Sequence, residues 1–84
     1  MKEYEVRFVE AIKRDGEIQG GDDHCIKTLK TEKSAVKYGK KKSFQKTYRG
    51  AKVHEIFIKC LDEENDSVSV WFIKDGIITH KDVG

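Results

Sequence analysis

The side chains with the most direct chemical potential in this chain are its two cysteines and three histidines. Cys25 and Cys60 do not form a Cys-x-x-Cys pair, and only His24 is adjacent to a cysteine. Zinc sites usually place ligand pairs about two to five residues apart, and adjacent residues of a strand point to opposite faces of a sheet. We therefore expect both thiols to be buried as small apolar side chains. The alternative is a disulfide, or a metal site that the cysteines share with His24, His54 or His80.

Acidic residues form two clusters, within 15–23 and 62–66. Carboxylates at irregular intervals are not the ligand pattern of a calcium loop, so both clusters are expected to be solvated turns. Two glycines precede Asp22 and Asp23, whose charge would repel a phosphate. Because the chain also lacks a nucleophile motif, a metal-binding helix pair and a phosphate loop, we predict that it is not an enzyme. No cofactor, metal or small-molecule substrate is indicated.

Basic residues are concentrated in the segment 27–52. This segment holds ten of the 17 basic residues and one of the 15 acidic ones, a formal charge of 10 − 1 = +9, whereas the rest of the chain carries 7 − 14 = −7. Lysine and arginine gain affinity for phosphates by releasing counterions and need no sequence motif to do so. Aromatic rings between them can stack on bases.

The basic segment therefore predicts nucleic-acid binding, to DNA or RNA. The candidate residues are its cations and two of its aromatic rings: Lys33, Lys37, Lys40, Lys41, Lys42, Lys46, Arg49, Tyr38 and Tyr48. The alternative is a solvated helix whose lysines keep the domain soluble and pair with the acidic flanks.

Two strands are predicted in the first 30 residues. Apolar and charged residues alternate over 3–8, and this period of two indicates a strand with one buried face. A helix over 1–12 is the alternative. Asp15-Gly16 is typical of a type I′ hairpin turn, and 20–23 predicts a second break. The range 24–30 alternates again, but its two faces are not cleanly distinguished, as expected near a sheet edge.

A helix is predicted from Glu32 to Lys42. Thr31 is suited to the N-cap, and Glu32 places a negative charge at the positive end of the helix dipole. Gly39 either lets the helix approach the sheet closely or ends it early. Whether residues 43–48 continue the helix is left open by the sequence.

Three further strands are predicted in the last third of the chain, over 53–61, 68–74 and 77–81, with a type I′ turn at Asp75-Gly76. The expected core face of the first two strands is continuously apolar and holds His54, Ile56, Ile58, Cys60, Val68, Val70 and Phe72.

The opposite face of these strands is expected to bind another protein. It would hold Val53, Glu55, Lys59 and Ser69 beside an apolar group of Phe57, Trp71 and Ile73. An exposed apolar patch of this size is more than a monomer needs, so we predict a protein partner or a homodimer there. The alternative is that another part of the chain covers these residues.

Residues 1–84 are thus expected to form a single two-layer α+β domain, with one helix packed on one face of an antiparallel sheet of four to five strands, in the order β-β-α-β-β-β. No apolar run approaches the ~20 residues that span a bilayer, and the N-terminus has no signal-peptide pattern. We expect the protein to act in the cytoplasm of a cell or of a phage host. Its short, lysine-rich, proline-free composition is typical of products of phages and mobile elements, some of which bind host or defence proteins. An inhibitor of that type is the alternative function.

Overall fold

The computed structural model of the chain describes residues 2–83 and has one helix packed against one face of an antiparallel sheet. Its elements are β1 (Glu3–Arg14), β2 (Glu17–Leu29), α1 (Glu32–Lys42), β3 (Thr47–Tyr48), β4 (Ala51–Leu61), β5 (Ser67–Lys74) and β6 (Ile77–Val83). The strands follow the order β2-β1-β4-β5-β6 across the sheet, and the short β3 pairs with β4. The predicted α+β class is confirmed.

Tight turns with positive backbone φ join the two strands of each hairpin. Asp15 and Gly16 have φ of 53° and 81°, and Asp75 and Gly76 have φ of 50° and 80°. Both turns were predicted, because type I′ geometry requires positive φ at its two central residues and Asp-Gly adopts it readily. A third turn of this kind at Arg49-Gly50 joins β3 to β4 and brings the last part of the basic segment back onto the sheet.

The strand predicted at the N-terminus is confirmed, but the break predicted at 20–23 is wrong. β2 continues through that range and pairs with β1, with register shifts between Val6 and Arg7 and between Val9 and Ala11. Such bulges absorb an extra residue and disturb the alternation without ending a strand. Gly21 is needed because a Cβ there would lie 2.8 Å from Cγ2 of Ile12.

The helix has the predicted bounds, Glu32–Lys42, and the predicted cap. The Thr31 hydroxyl accepts a hydrogen bond from the backbone N–H of Ser34 at 3.2 Å. Gly39 is buried, and a Cβ there would lie 2.9 Å from Cδ1 of Ile73. Gly39 therefore lets the helix approach the sheet closely and does not end it early.

The core lies between α1 and the sheet, and it corrects the predicted face of β5. Its buried residues are Val6, Phe8, Ala35, Ile56, Ile58, Cys60, Trp71 and Ile73. Trp71 and Ile73, which were predicted to be exposed interface residues, are only 4% and 2% exposed. Val70 and Phe72, which were predicted to be core residues, are half-buried on the opposite face.

A β-bulge explains the exchange of faces in β5. Cys60 pairs with Ser69 and Leu61 with Ser67, so Val68 is an extra residue in the strand. A slip of one residue moves every following side chain to the other face. Because β5 is apolar on both faces, its pattern could not reveal the slip.

Two further placements differ from expectation. Cys60 is buried as predicted, but Cys25 is exposed, because it lies on the edge strand β2. His54 is also exposed. It is the extra residue where β4 shifts register against β1, and Val53 packs against the core instead.

Candidate nucleic-acid interface

The ten cations of the segment 27–52, called the basic surface here, come from β2, α1, the loops that flank the helix and the β3–β4 hairpin. Nine are exposed and Lys42 is half-buried: Lys27, Lys30, Lys33, Lys37, Lys40, Lys41, Lys42, Lys46, Arg49 and Lys52. The helix presents its lysines outward because Ala35 and Gly39, four residues apart, occupy the face against the sheet. The predicted lysines and Arg49 are therefore accessible to a ligand.

No cation of the basic surface forms an ion pair with an acidic residue within the described range 2–83. The ion pairs there are Arg7–Glu5 at 3.0 Å and Arg7–Asp23 at 2.7 Å. Two histidines also lie close to acids, His24 to Glu10 at 3.4 Å and His80 to Asp82 at 2.8 Å. The pairing of lysines with the acidic flanks, which the sequence offered as an alternative, is thus not found among these residues. The basic surface keeps its charge available.

Tyr38 holds two lysines close to the helix. Nζ of Lys27 lies 5.2 Å from the centroid of its ring, and Nζ of Lys42 lies 5.4 Å from it. Both distances are within the range of a cation–π interaction. Tyr38 is half-buried, so its ring joins a cation of β2 to a cation of α1. Its predicted stacking on a base stays a prediction.

Tyr48 lines a small cavity on the same face of the sheet as α1. Its ring centroid is 5.0 Å from that of Phe8, and the Phe8 ring is stacked with His24 at 5.1 Å. The guanidinium carbon of Arg49 lies 5.4 Å from the Tyr48 ring. These side chains, with Glu10, line a cavity of about 200 Å³.

No pattern in the sequence indicated this aromatic cavity. Phe8, His24 and Tyr48 belong to three different strands, β1, β2 and β3. Only the β2-β1-β4 strand order, with β3 paired to β4, brings their rings together. Their spacing along the chain carries no motif.

A second, more polar cleft of about 370 Å³ lies where α1 ends beside the β5–β6 turn. The Ser43 hydroxyl accepts a hydrogen bond from the backbone N–H of Gly76 at 2.8 Å. The ring of Phe44, which is 60% exposed, lies directly over Gly76. Lys46 and Lys74 line this cleft together with Glu55 and Asp75, so its charges are mixed.

The sheet face opposite α1 is called the open face here. It carries an apolar row, formed by Phe57 and Phe72, that is flanked by charged residues. The ring centroids of Phe57 and Phe72 are 5.9 Å apart, and Phe72 lies 5.9 Å from His80. Of the three residues predicted for a protein interface, only Phe57 lies on this face. Phe72 was missed because the bulge at Val68 could not be recognised in the sequence.

Arg7 pairs with Phe57 across β1 and β4 and organises the charges beside the apolar row. Its guanidinium donates hydrogen bonds to Glu5 at 3.0 Å and to Asp23 at 2.7 Å. The hydrogen bond from Arg7 lowers the pKa of the Asp23 carboxyl from its ordinary value. Glu5 and Asp23 are therefore paired with Arg7 on the open face, which also carries the cation of Lys59.

No group of three or more His, Cys, Asp or Glu side chains within 2–83 is arranged to hold a metal ion. No helix in that range is long and apolar enough to cross a membrane. No family model, curated protein or solved structure matches the chain. Arguments about function therefore depend on the two surfaces themselves.

Proposed function

We propose that this chain is a non-enzymatic module that binds nucleic acid through its basic surface. One observation carries the proposal: ten cations lie within 26 consecutive residues, and none of them forms an ion pair with an acid in the described part of the chain. A polyanion that approaches this surface gains contacts without first breaking intramolecular ion pairs.

Binding would be driven by the release of counterions from the phosphate backbone. The helix is 11 residues long, and at about 1.5 Å per residue it spans roughly 16 Å. Lys33, Lys37 and Lys41 recur every four residues along its exposed side, so they can follow a phosphate backbone. Lys46 and Arg49 extend the positive surface past the end of the helix.

The experiment compares two triple variants that lose the same charge. Lys37→Gln, Lys40→Gln and Lys41→Gln remove exposed cations of the helix, and the matched control is Lys2→Gln, Lys13→Gln and Arg14→Gln, which are exposed cations outside the basic surface. Each changes the formal net charge from +2 to 2 − 3 = −1. Glutamine is chosen because a glutamate near the C-terminus of the helix would oppose its dipole.

The helix variant should lose at least about tenfold in affinity for a short oligonucleotide, and its salt dependence should weaken by about one unit per lost contact. The control variant should bind nearly as well as the native chain. Fluorescence anisotropy measures both affinities, and circular dichroism checks that both variants fold. Equal losses in the two variants would mean that overall charge, rather than the basic surface, governs binding.

The open face supports a second candidate, a protein partner. Phe57 and Phe72 form an aromatic pair there, and aromatic residues are frequent anchors of protein interfaces. Glu5 and Asp23 beside them disfavour a polyanion but are suited to the rim of a protein contact. Phe57→Ser should then weaken an association seen by light scattering. If light scattering finds a monomer at all concentrations, and Phe57→Ser leaves binding to nucleic acid unchanged, self-association through this face is ruled out.

A further inference from the structure

We infer that the cavity beside Tyr48 receives one unstacked base, so that the ligand of the basic surface is a single-stranded nucleic acid. The inference rests on the proposed function, because the cavity lies within reach of the same cations. It adds the class of ligand, which charge alone does not determine.

The cavity combines aromatic rings with an adjacent cation. Phe8 is buried, and its ring centroid lies 5.1 Å from that of His24 and 5.0 Å from that of Tyr48. His24 is exposed, and its side chain keeps 48% of its surface accessible. A planar ring that enters the cavity therefore meets aromatic side chains from β2 and β3, beside the carboxylate of Glu10. Single-strand-binding proteins use such rings because every base has a π face.

The size of the cavity fits one base. Its volume of about 200 Å³ is below the roughly 300–1,000 Å³ of sites for drug-sized ligands. The sugar and phosphate would remain outside, where Arg49 lines the same cavity and is exposed. Arg49 is also one of the ten cations of the basic surface.

A base in an intact duplex is not available to this cavity. It would have to leave its stack and its pairing partner, which costs a few kcal/mol, and this cost is least for a base that is already single-stranded. The basic surface alone would bind either form through phosphates. Preference for a single strand is therefore the property that the cavity adds.

The experiment measures binding of a fluorescent single strand and of a hairpin duplex with the same number of phosphates, at equal salt. The native chain should bind the single strand at least about tenfold more tightly. His24→Ala and Tyr48→Leu should each lower single-strand affinity by about 5- to 150-fold, the range that corresponds to the loss of one base–aromatic stack. Duplex affinity should stay unchanged. Phe72→Leu is the matched control, because it removes a half-buried ring on the open face, away from the cavity and the basic surface.

A strand that carries 2-aminopurine gives an independent readout, since its fluorescence is quenched when the base stacks. Quenching by the native chain and by Phe72→Leu, but not by His24→Ala, supports the inference. If Tyr48→Leu does not fold, His24→Ala carries the test, because His24 is exposed on an edge strand. Equal affinity for single strand and duplex, with no effect of the cavity variants, overturns the inference and leaves the proposed function intact. Absence of binding to both forms at low salt overturns the proposed function, and the inference with it.

Discussion

Trp71 connects the outer strands of the sheet to the core. It is 4% exposed, it pairs with Ile58 across β4 and β5, and Nζ of Lys81 lies 5.0 Å from its ring. Tyr4 approaches the same ring at 6.2 Å. A large side chain in such a position contributes through both buried area and close packing.

We expect Trp71→Ala to lower the free energy of unfolding by about 3–5 kcal/mol, because it removes a large buried side chain and leaves a cavity. Urea denaturation followed by circular dichroism measures the change. Phe57→Ala, on the half-buried open face, should cost less. Tryptophan emission of the native chain should be blue and protected from quenchers at concentrations where the chain is monomeric. Red, readily quenched emission would contradict the placement of Trp71.

Asp23 provides a prediction about pH. Because the Arg7 hydrogen bond lowers the pKa of Asp23 in the folded state, the unfolded state binds more protons on the acid side. The stability that this pair contributes is therefore fully present above the ordinary pKa of aspartate, about 4. It is lost as the pH falls through the lower, folded pKa.

Arg7→Gln should raise the pKa of Asp23 towards its ordinary value and reduce the acid dependence of stability below about pH 4. Titration of the Asp23 carboxyl by NMR measures the first effect, and urea denaturation at several pH values measures the second. Arg14→Gln, at the exposed end of the β1–β2 hairpin, serves as the control. An Asp23 pKa that does not respond to Arg7→Gln would contradict the assigned ion pair.

The helix depends on a close approach to the sheet at Gly39. Besides the contact with Ile73, a Cβ at Gly39 would lie 3.1 Å from Cδ1 of Ile58, and both isoleucines are among the most buried side chains. A larger residue would push α1 away from the core. The basic surface would then lose the fixed position that the helix gives it.

Gly39→Val should therefore destabilise the protein by about 1–3 kcal/mol through overpacking. Lys37→Val is the matched control, because it introduces the same β-branched residue at an exposed position of the same helix and affects helix propensity without a clash. Urea denaturation of the two variants separates the effects. Equal stability of the two variants would contradict the close packing of α1 on β4 and β5.

Elements whose signals are local were predictable from the sequence. Thr31 and Glu32 predicted the start of the helix, and Asp15-Gly16 and Asp75-Gly76 predicted two turns, because each pattern stabilises one backbone geometry by itself. The faces of β5 were not predictable, since they depend on pairing with β4 across a bulge at Val68. The basic segment was visible as charge, whereas the aromatic cavity depends on strand order and left no pattern.

Charge is distributed unevenly over the whole molecule. The basic surface includes α1 and the loops around it, whereas acids such as Glu5 and Asp23 lie on the open face beside the apolar row. The molecule is elongated, with a longest dimension of 42 Å against 23 Å in the other two. We expect a polyanion to be attracted to the basic surface.

The central claim is that phosphates bind the basic surface, and the salt dependence of binding tests it most directly. The association constant of the native chain for a short single strand is measured by fluorescence anisotropy from about 50 mM salt upwards. With roughly four to six phosphates contacted, log K should fall with log salt at a slope of about −3 to −4. A slope near zero, or no detectable binding at about 50 mM salt, where phosphate contacts are strong, would contradict the account.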